Sequence, residues 1–373
     1  MSLRQSPSEL KIGYETKFVV FCTEESRYFA RNIARDIGCP LGTVDRSTFD
    51  DGEQYYRIKI DKAGGIAGKD VIYVASTNTD AALLELYRVG CTLASLGTRR
   101  RFFVIPYFGY STMERAVKPG EVITAKVNAR MLSSIPNSGL GNVFLFCDLH
   151  VSGLLQYFEG PCQVHEVYGQ EPLIAAIAKE LGIEPLPPLV ARGAPAVSTE
   201  EENPDVIFGS ADLGRPLWVE SFAKRFKTGM AFIRKKRDMN NTVVQGVPIG
   251  DVRGKKVVIY DDMTRTAGTL IKAAVAYLAN GATEVIAVLS HLALANKDIV
   301  RKLEESPIKK VIATNSHPMS QDPLVKASKK ITIVPVDSEF VSAIRSFLLF
   351  DKPARDPAED DDDEDYDDEE DDE

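Results

Sequence analysis

Short apolar runs alternate along this chain with amphipathic stretches of helical period, and that alternation constrains the fold more than any other feature. The runs read as strands at 18–21, 70–75, 101–105, 142–147, 205–208, 230–233, 256–260, 284–289, 310–314 and 331–335. The stretches between them read as helices, chiefly at 26–36, 80–96, 122–134, 172–181, 216–225, 268–280 and 297–305. Parallel strands need a long crossover, and a helix supplies it. The pattern therefore predicts an α/β chain built on mostly parallel sheets flanked by helices. In such sheets ligands gather beyond the carboxyl ends of the strands, so residues just after a strand carry the most functional weight.

A length of 373 residues suits two ordinary domains. The Pro- and Ala-rich segment 186–204 reads as the linker between the halves. The division expected is an N-terminal extension (1–14), a first α/β domain (15–165), a second (166–350) and an acidic tail (351–373). Residues 359–373 hold fourteen acidic side chains and one tyrosine; without them the net charge of −9 becomes +5. The folded body is thus mildly basic, which suits an anionic substrate. The tail repels itself and buries nothing, so it is expected to be disordered and solubilising. No apolar run is long enough to span a bilayer, and the polar N-terminus lacks the core of a secretory signal. Five scattered cysteines without CxxC spacing point to reduced thiols in the cytoplasm rather than a disulfide framework or a zinc site. The basic runs at 99–101 and 234–237 lack interleaved aromatics, which argues against nucleic-acid binding.

The most specific segment is 256–273. A buried strand ends in Asp261 and Asp262, followed by Met263-Thr-Arg-Thr-Ala-Gly-Thr269 and an amphipathic helix. A hydroxyl-rich loop that opens a helix offers backbone N–H groups to a phosphate. Gly268 permits close approach, and Thr264, Thr266 and Thr269 add hydroxyls. Adjacent carboxylates can accept hydrogen bonds from the vicinal hydroxyls of a ribose or help hold a metal. It is not a Walker loop, because GxxxxGK[ST] is absent. A capped helix after a strand explains each feature singly but not the ordered set.

VVIYDDMTRTAGTLIKAA resembles the 5-phosphoribosyl-1-diphosphate loop shared by phosphoribosyltransferases and ribose-phosphate pyrophosphokinases. On that resemblance Asp261, Asp262, Thr264, Arg265, Thr266, Ala267, Gly268 and Thr269 hold ribose 5-phosphate. Further segments resemble the pyrophosphokinase family specifically. Phe49-Asp-Asp-Gly-Glu53 is similar to the family segment that reaches ATP across a subunit interface, which implies ATP contacts for Phe49, Asp51 and Glu53. Val104-Ile-Pro-Tyr-Phe-Gly-Tyr110 and Ser111-Thr-Met-Glu-Arg115 are similar to its ATP-side segment, closest to the plant-type (class II) branch, and make Arg115 a phosphate partner. Phe146-Cys-Asp-Leu-His150 resembles the Asp-x-His motif, which implies His150 as a ligand of nucleotide-bound Mg2+, with Asp148 orienting its ring. His165, His291 and His317 lack such context and read as structural. Phe208-Gly-Ser-Ala-Asp-Leu-Gly214 resembles the loop whose carboxylate, here Asp212, helps hold magnesium. The resemblance spans roughly residues 15–345. It implies two type I phosphoribosyltransferase-like domains, the conversion of ATP and ribose 5-phosphate to AMP and 5-phospho-α-D-ribose 1-diphosphate, and a homo-oligomer with sites near subunit interfaces.

The sequence departs from the family pattern after Asp212. Where the family carries a Lys-Arg pair, this chain has Leu217 and Trp218, neither of which neutralises a phosphate. Arg265 also replaces the usual acid of the phosphate loop. Arg215, and Lys235 and Lys236 in a basic loop expected after the strand at 230–233, are the candidate replacement cations. Three readings follow: an active enzyme with relocated cations, a catalytically inactive regulatory subunit, and a phosphoribosyltransferase.

Overall fold

The computed structural model describes residues 18–60, 65–137, 139–188, 202–211, 215–237 and 243–349; for 235–237, 243–245 and 349 it describes the backbone alone. The acidic tail, Asp212 and the side chains of Lys235 and Lys236 lie outside the described residues.

In the first half, β1 (Phe18–Cys22), α1 (Arg27–Ile37), β2 (Val44–Thr48), β3 (Gln54–Ile58), β4 (Asp70–Val74), α2 (Asp80–Ser95), β5 (Arg100–Ile105), α3 (Thr124–Ser133), β6 (Asn142–Cys147) and β7 (Gln163–Val167) follow in order. Five of these strands form one parallel sheet in the order β1-β4-β5-β6-β7, while β2 and β3 form a separate antiparallel hairpin. Alternate residues of each strand face opposite layers. Phe18 and Val20 pack beneath α1, whereas Val19 and Phe21 pack towards α2 and α3.

The second half contains α4 (Gln170–Leu181), β8 (Val206–Ser210), α5 (Pro216–Phe226), β9 (Gly229–Arg237), β10 (Val243–Ile249), β11 (Lys256–Met263), α6 (Gly268–Ala279), β12 (Glu284–His291), α7 (Asp298–Glu305), β13 (Lys310–Thr314), α8 (Pro323–Ala327), β14 (Ile331–Val334) and α9 (Asp337–Leu349). Its seven-stranded sheet runs β10-β9-β8-β11-β12-β13-β14 and is parallel except for the β9/β10 pair. Helices α4 and α5 cover one face, and α6, α7 and α8 the other. Helix α9 returns to the first sheet, where Phe340, Val341, Ile344 and Leu348 join the core under α1. The α/β class with parallel sheets between helices is as the sequence predicts.

Edge strands are where structure and sequence differ. β7 and β10 are not apolar runs, and half of β7 faces solvent. Cross-strand backbone pairing creates them, not an apolar pattern. The basic run after Ile233 is likewise not a loop: β9 continues to Arg237, with Lys236 opposite Val244 and Arg237 opposite Val243. Strand β11 runs on through Met263 alongside β12, past the expected end at 260, so Asp261 and Asp262 are strand residues.

One buried hydroxyl ties three elements behind the phosphate loop. Tyr277 Oη on α6 donates to the carbonyl oxygens of Ser210 (2.9 Å) on β8 and Ala231 (3.2 Å) on β9. Tyr277 is fully buried, so Tyr277→Phe removes the one hydroxyl donor that these two carbonyls share. We expect a loss of about 1–2 kcal/mol in urea unfolding; no loss means that these carbonyls are satisfied otherwise.

Candidate functional site

The carboxyl ends of the two sheets face each other, and the site forms where they meet. Ser76 Oγ, beyond β4, donates to Ser316 O beyond β13 at 3.0 Å, and Tyr28 Oη on α1 donates to Asn315 O at 2.6 Å. Asp337, at the start of α9, accepts from Asn32 (3.2 Å) and Asn315 (2.6 Å) on one oxygen. Hydrogen bonds that cross from sheet to sheet hold the two halves in register.

At the centre of this seam, His150 follows β6, Asp262 ends β11 and Arg215 precedes α5. His150 Nδ1 lies 2.7 Å from Asp262 Oδ2, and Arg215 Nη2 lies 2.7 Å from the same oxygen. Arg215 Nη2 is also 3.1 Å from His150 Nδ1. A guanidinium only donates, so Nδ1–H and Nη2–H both point at the carboxylate, and the Arg–His approach follows from sharing one acceptor. Burial pushes the Asp262 pKa up, but the His150 hydrogen bond and the Arg215 charge outweigh it and hold the carboxyl well below the usual range. With Nδ1 donating, the neutral ring of His150 keeps a lone pair on Nε2, and a third of its side chain is exposed. A histidine whose second nitrogen leans on a carboxylate is the arrangement that orients a metal ligand. The residues present therefore fit Mg2+ as a nucleotide-bound ion, with phosphate oxygens completing its shell. Among the described residues no cluster of three or more His, Cys, Asp or Glu forms an all-protein metal cage.

Among the described residues, no hydrogen bond joins the Asp148 carboxylate to the His150 ring. Asp148 is buried with φ 40°, and its Oδ2 accepts from Ser290 Oγ at 2.6 Å and its Oδ1 from Gly169 N at 3.1 Å. Burial pushes this carboxyl up to about 6 against those hydrogen bonds, which pull it down. Asp262 takes the orienting role instead. His291, read as structural from sequence, is buried at the same seam. Burial lowers its imidazole to about 4, so the ring is neutral at physiological pH.

The phosphate loop is built as a cradle. Ala267 adopts the left-handed conformation (φ 58°, ψ 2°) immediately before α6. Gly268 starts the helix, and a Cβ there would meet only Thr266 Oγ1 at 3.5 Å. The space beside it is open, and the first N–H groups of α6 have no intrahelical acceptor, which fits an anion. Thr264 is buried and its Oγ1 accepts from Ala267 N (3.1 Å), so it shapes the loop. Thr266 and Thr269 are exposed. Arg265 reaches across the seam to donate to Thr112 Oγ1 (3.1 Å), linking the loop to the 111–115 segment.

The remaining candidates are not drawn together. Phe49, Asp51 and Glu53 sit at the tip of the β2/β3 hairpin, and Phe49 is 55% exposed beside Tyr55. Arg46 anchors that hairpin by an ion pair to Glu85 (2.6 Å), itself held by Tyr73 Oη (2.7 Å). Arg115 is exposed and pairs with Glu114 (3.4 Å). Among the described residues, no contact joins these groups to His150 or Asp262. Leu217 is 76% exposed, whereas Trp218 stacks on Tyr260 at 5.1 Å. Neither supplies a charge. The reading from sequence overlooked Ser290 and Tyr260; Ser290 follows the rule applied elsewhere, lying at the carboxyl end of a strand.

Arg215 and Asp262 are both largely buried, so deleting the cation leaves a carboxylate with one donor. Asp262 adds stability above its unfolded pKa of about 3.9, and that contribution is lost as pH falls through the depressed folded value. Arg215→Ala should cost about 3 kcal/mol in urea unfolding at pH 7, and the deficit should shrink by pH 3. A deficit equal at both pH values contradicts the ion pair.

Comparison with known proteins agrees with this geometry. Residues 18–135 match the model of the N-terminal domain of ribose phosphate pyrophosphokinase, and residues 189–319 match the phosphoribosyl transferase domain. The chain is 30% identical to the ribose-phosphate pyrophosphokinase of Porphyromonas gingivalis over 89% of its own length and 95% of the relative's. It is 33% identical to that of Shewanella oneidensis, covering 87% and 94%. The crystal structure of phosphoribosylpyrophosphate synthetase from Mycobacterium smegmatis superposes with a TM-score of 0.72 at 21% identity, covering 90% of this chain and all of the other. With both halves matched in order and relatives covered nearly end to end, the chain belongs to the ribose-phosphate pyrophosphokinase family.

Proposed function

We propose that this protein is a ribose-phosphate diphosphokinase that converts ATP and ribose 5-phosphate to AMP and 5-phospho-α-D-ribose 1-diphosphate for nucleotide biosynthesis. The observation that carries the proposal is the junction of His150, Asp262 and Arg215 beside the α6 cradle. It sets a nucleotide-side imidazole against a ribose-side carboxylate. The anomeric hydroxyl of the ribose attacks the β-phosphorus of ATP; the bond between the α- and β-phosphates breaks, AMP leaves with the bridging oxygen, and the hydroxyl proton passes to solvent. Mg2+, when bound with the nucleotide, neutralises phosphate charge.

The chain's own residues then have separate tasks. The N–H groups at the start of α6, with Thr266 and Thr269, take the 5-phosphate, and Thr264 and Ala267 shape the turn. Asp261 and Asp262 face the ribose hydroxyls. His150 Nε2 and Asp212 serve the magnesium, and Phe49, Asp51, Glu53 and Arg115 serve ATP. Arg215 and the β9 lysines Lys235 and Lys236 supply positive charge in place of the family pair. Catalysis of this kind is positioning and electrostatics more than acid–base chemistry. The proposal includes domains at 15–165 and 166–350 between the N-terminal extension and the acidic tail, membership of the plant-type branch, cytoplasmic location and a homo-oligomer that completes its ATP sites between subunits. Among the described residues no helix is long and apolar enough to cross a membrane. The exposed Leu217 favours a second reading, a catalytically inactive subunit that regulates active partners.

AMP release separates the two. The full-length protein with Mg2+, ATP and ribose 5-phosphate should form AMP at a rate dependent on the sugar phosphate. Ribose 5-phosphate binding without AMP above the ATPase background supports the regulatory reading. In the active protein, replacing Arg215, Lys235 or Lys236 by Ala should lower kcat by about tenfold or more for whichever cation carries the role. An unchanged rate in all three rejects the relocated cation.

A further inference from the structure

His150 lies beyond the end of β6, a third exposed, and among the described residues its side chain is anchored by the Asp262–Arg215 junction on the other half. What aims it there is the residue two positions earlier. Asp148 takes a positive φ of 40°, a left-handed conformation that Asp holds with the help of local side-chain hydrogen bonds. That bend turns the chain out of the strand direction, so the turn must be held by other groups.

Four hydrogen bonds hold it. Asp148 N donates to Val167 O on β7 at 3.1 Å. Its Oδ1 accepts from Gly169 N at 3.1 Å, and its Oδ2 from Ser290 Oγ at 2.6 Å. Its carbonyl oxygen lies 3.1 Å from His291 Nε2. A carbonyl only accepts, so Nε2 carries the proton, and Nδ1 of the neutral ring accepts from Ser316 Oγ at 2.7 Å. Two of the four come from consecutive residues at the end of β12. Ser290 also touches Tyr260 Oη (2.9 Å), two residues before Asp262. Both are essentially inaccessible (Ser290 0%, His291 2% exposed), so neither touches a substrate. Each element that places Asp262 is thereby connected to the turn that places His150.

We propose that Ser290 and His291 are positioning residues: the carboxyl end of β12 grips the strained Asp148 turn and thereby sets the His150 imidazole against Asp262. The kinetic consequence rests on the diphosphokinase reading, whereas the geometric one does not. Ser290→Ala and His291→Leu release the grip. Ser290→Thr keeps the hydroxyl, and His291→Gln keeps an N–H donor towards Asp148 O.

Two measurements on the full-length protein test this. The chain has only four histidines, so ring nitrogen spectra of 15N-histidine-labelled protein are readily assigned with His150→Gln as reference. Wild type should show His150 protonated on Nδ1, as its Asp262 contact requires. Ser290→Ala and His291→Leu should lose that single-tautomer signature, while Ser290→Thr and His291→Gln retain it. In steady-state kinetics the first pair should lose about tenfold or more in kcat with KM for ribose 5-phosphate within about twofold, and the second pair should recover most of the rate. A purely structural role predicts lower melting temperature with the His150 signature and kcat intact, and that result overturns the inference. If wild type forms no AMP, the diphosphokinase reading fails alone and the ring spectra still decide. Should His291→Leu fail to fold, the Ser290 pair, which differs by one small group, carries the test.

Discussion

One carboxylate oxygen joins the two halves of this molecule. Asp262 Oδ2, at the end of a strand in the second sheet, accepts one hydrogen bond from an imidazole after the first sheet and another from the guanidinium ahead of α5. Separately, each of these groups would be costly to bury. Together they are paired, and the pair forms only when both sheets present their carboxyl ends to the same seam. The side chains that shape the cradle, the hydroxyls behind it and the α9 return all serve that alignment.

The seam is polar for a physical reason. Carboxyl ends of parallel strands expose carbonyl groups and loop polar atoms, and two such ends cannot meet across an apolar layer without stranding them. Here Ser76, Ser290, Thr314, Ser316, Asn315 and His291 satisfy the exposed carbonyls and one another. Three of the apolar cores lie within one half or the other, while the fourth seats α9 of the second half under α1 of the first. Hydrophobic burial thus stabilises each half and anchors α9 between them, and directional hydrogen bonds satisfy the polar seam.

The departure at Leu217 and Trp218 looks different in three dimensions. Trp218 packs on Tyr260 inside the α4/α5 layer, and Leu217 projects outward. A cation does reach Asp262 from this segment: Arg215, two residues before Leu217, pairs with it. A guanidinium in that place holds the Asp262 carboxylate as well as offering charge beside it.

Much of this was legible in the residues themselves. Apolar runs such as 142–147 and 310–314 declare interior parallel strands because both their faces are buried, and the hydroxyl-rich run after Asp261 and Asp262 declares a loop that opens a helix at the carboxyl end of a strand. Edge strands β7 and β10 were not legible, since their pairing comes from the neighbouring backbone and leaves no apolar signature. The conformation of Ala267 was not legible either, because the glycine beside it has the stronger preference for that turn. What sequence alone determined was the list of local elements and chemical groups, which depend on residues close together in the chain. Only the tertiary structure decided that Asp262 rather than Asp148 supports His150, and that Ser290 and His291 reach the Asp148 turn. Those contacts join residues 112 to 143 positions apart, and no local preference encodes a distance of that kind.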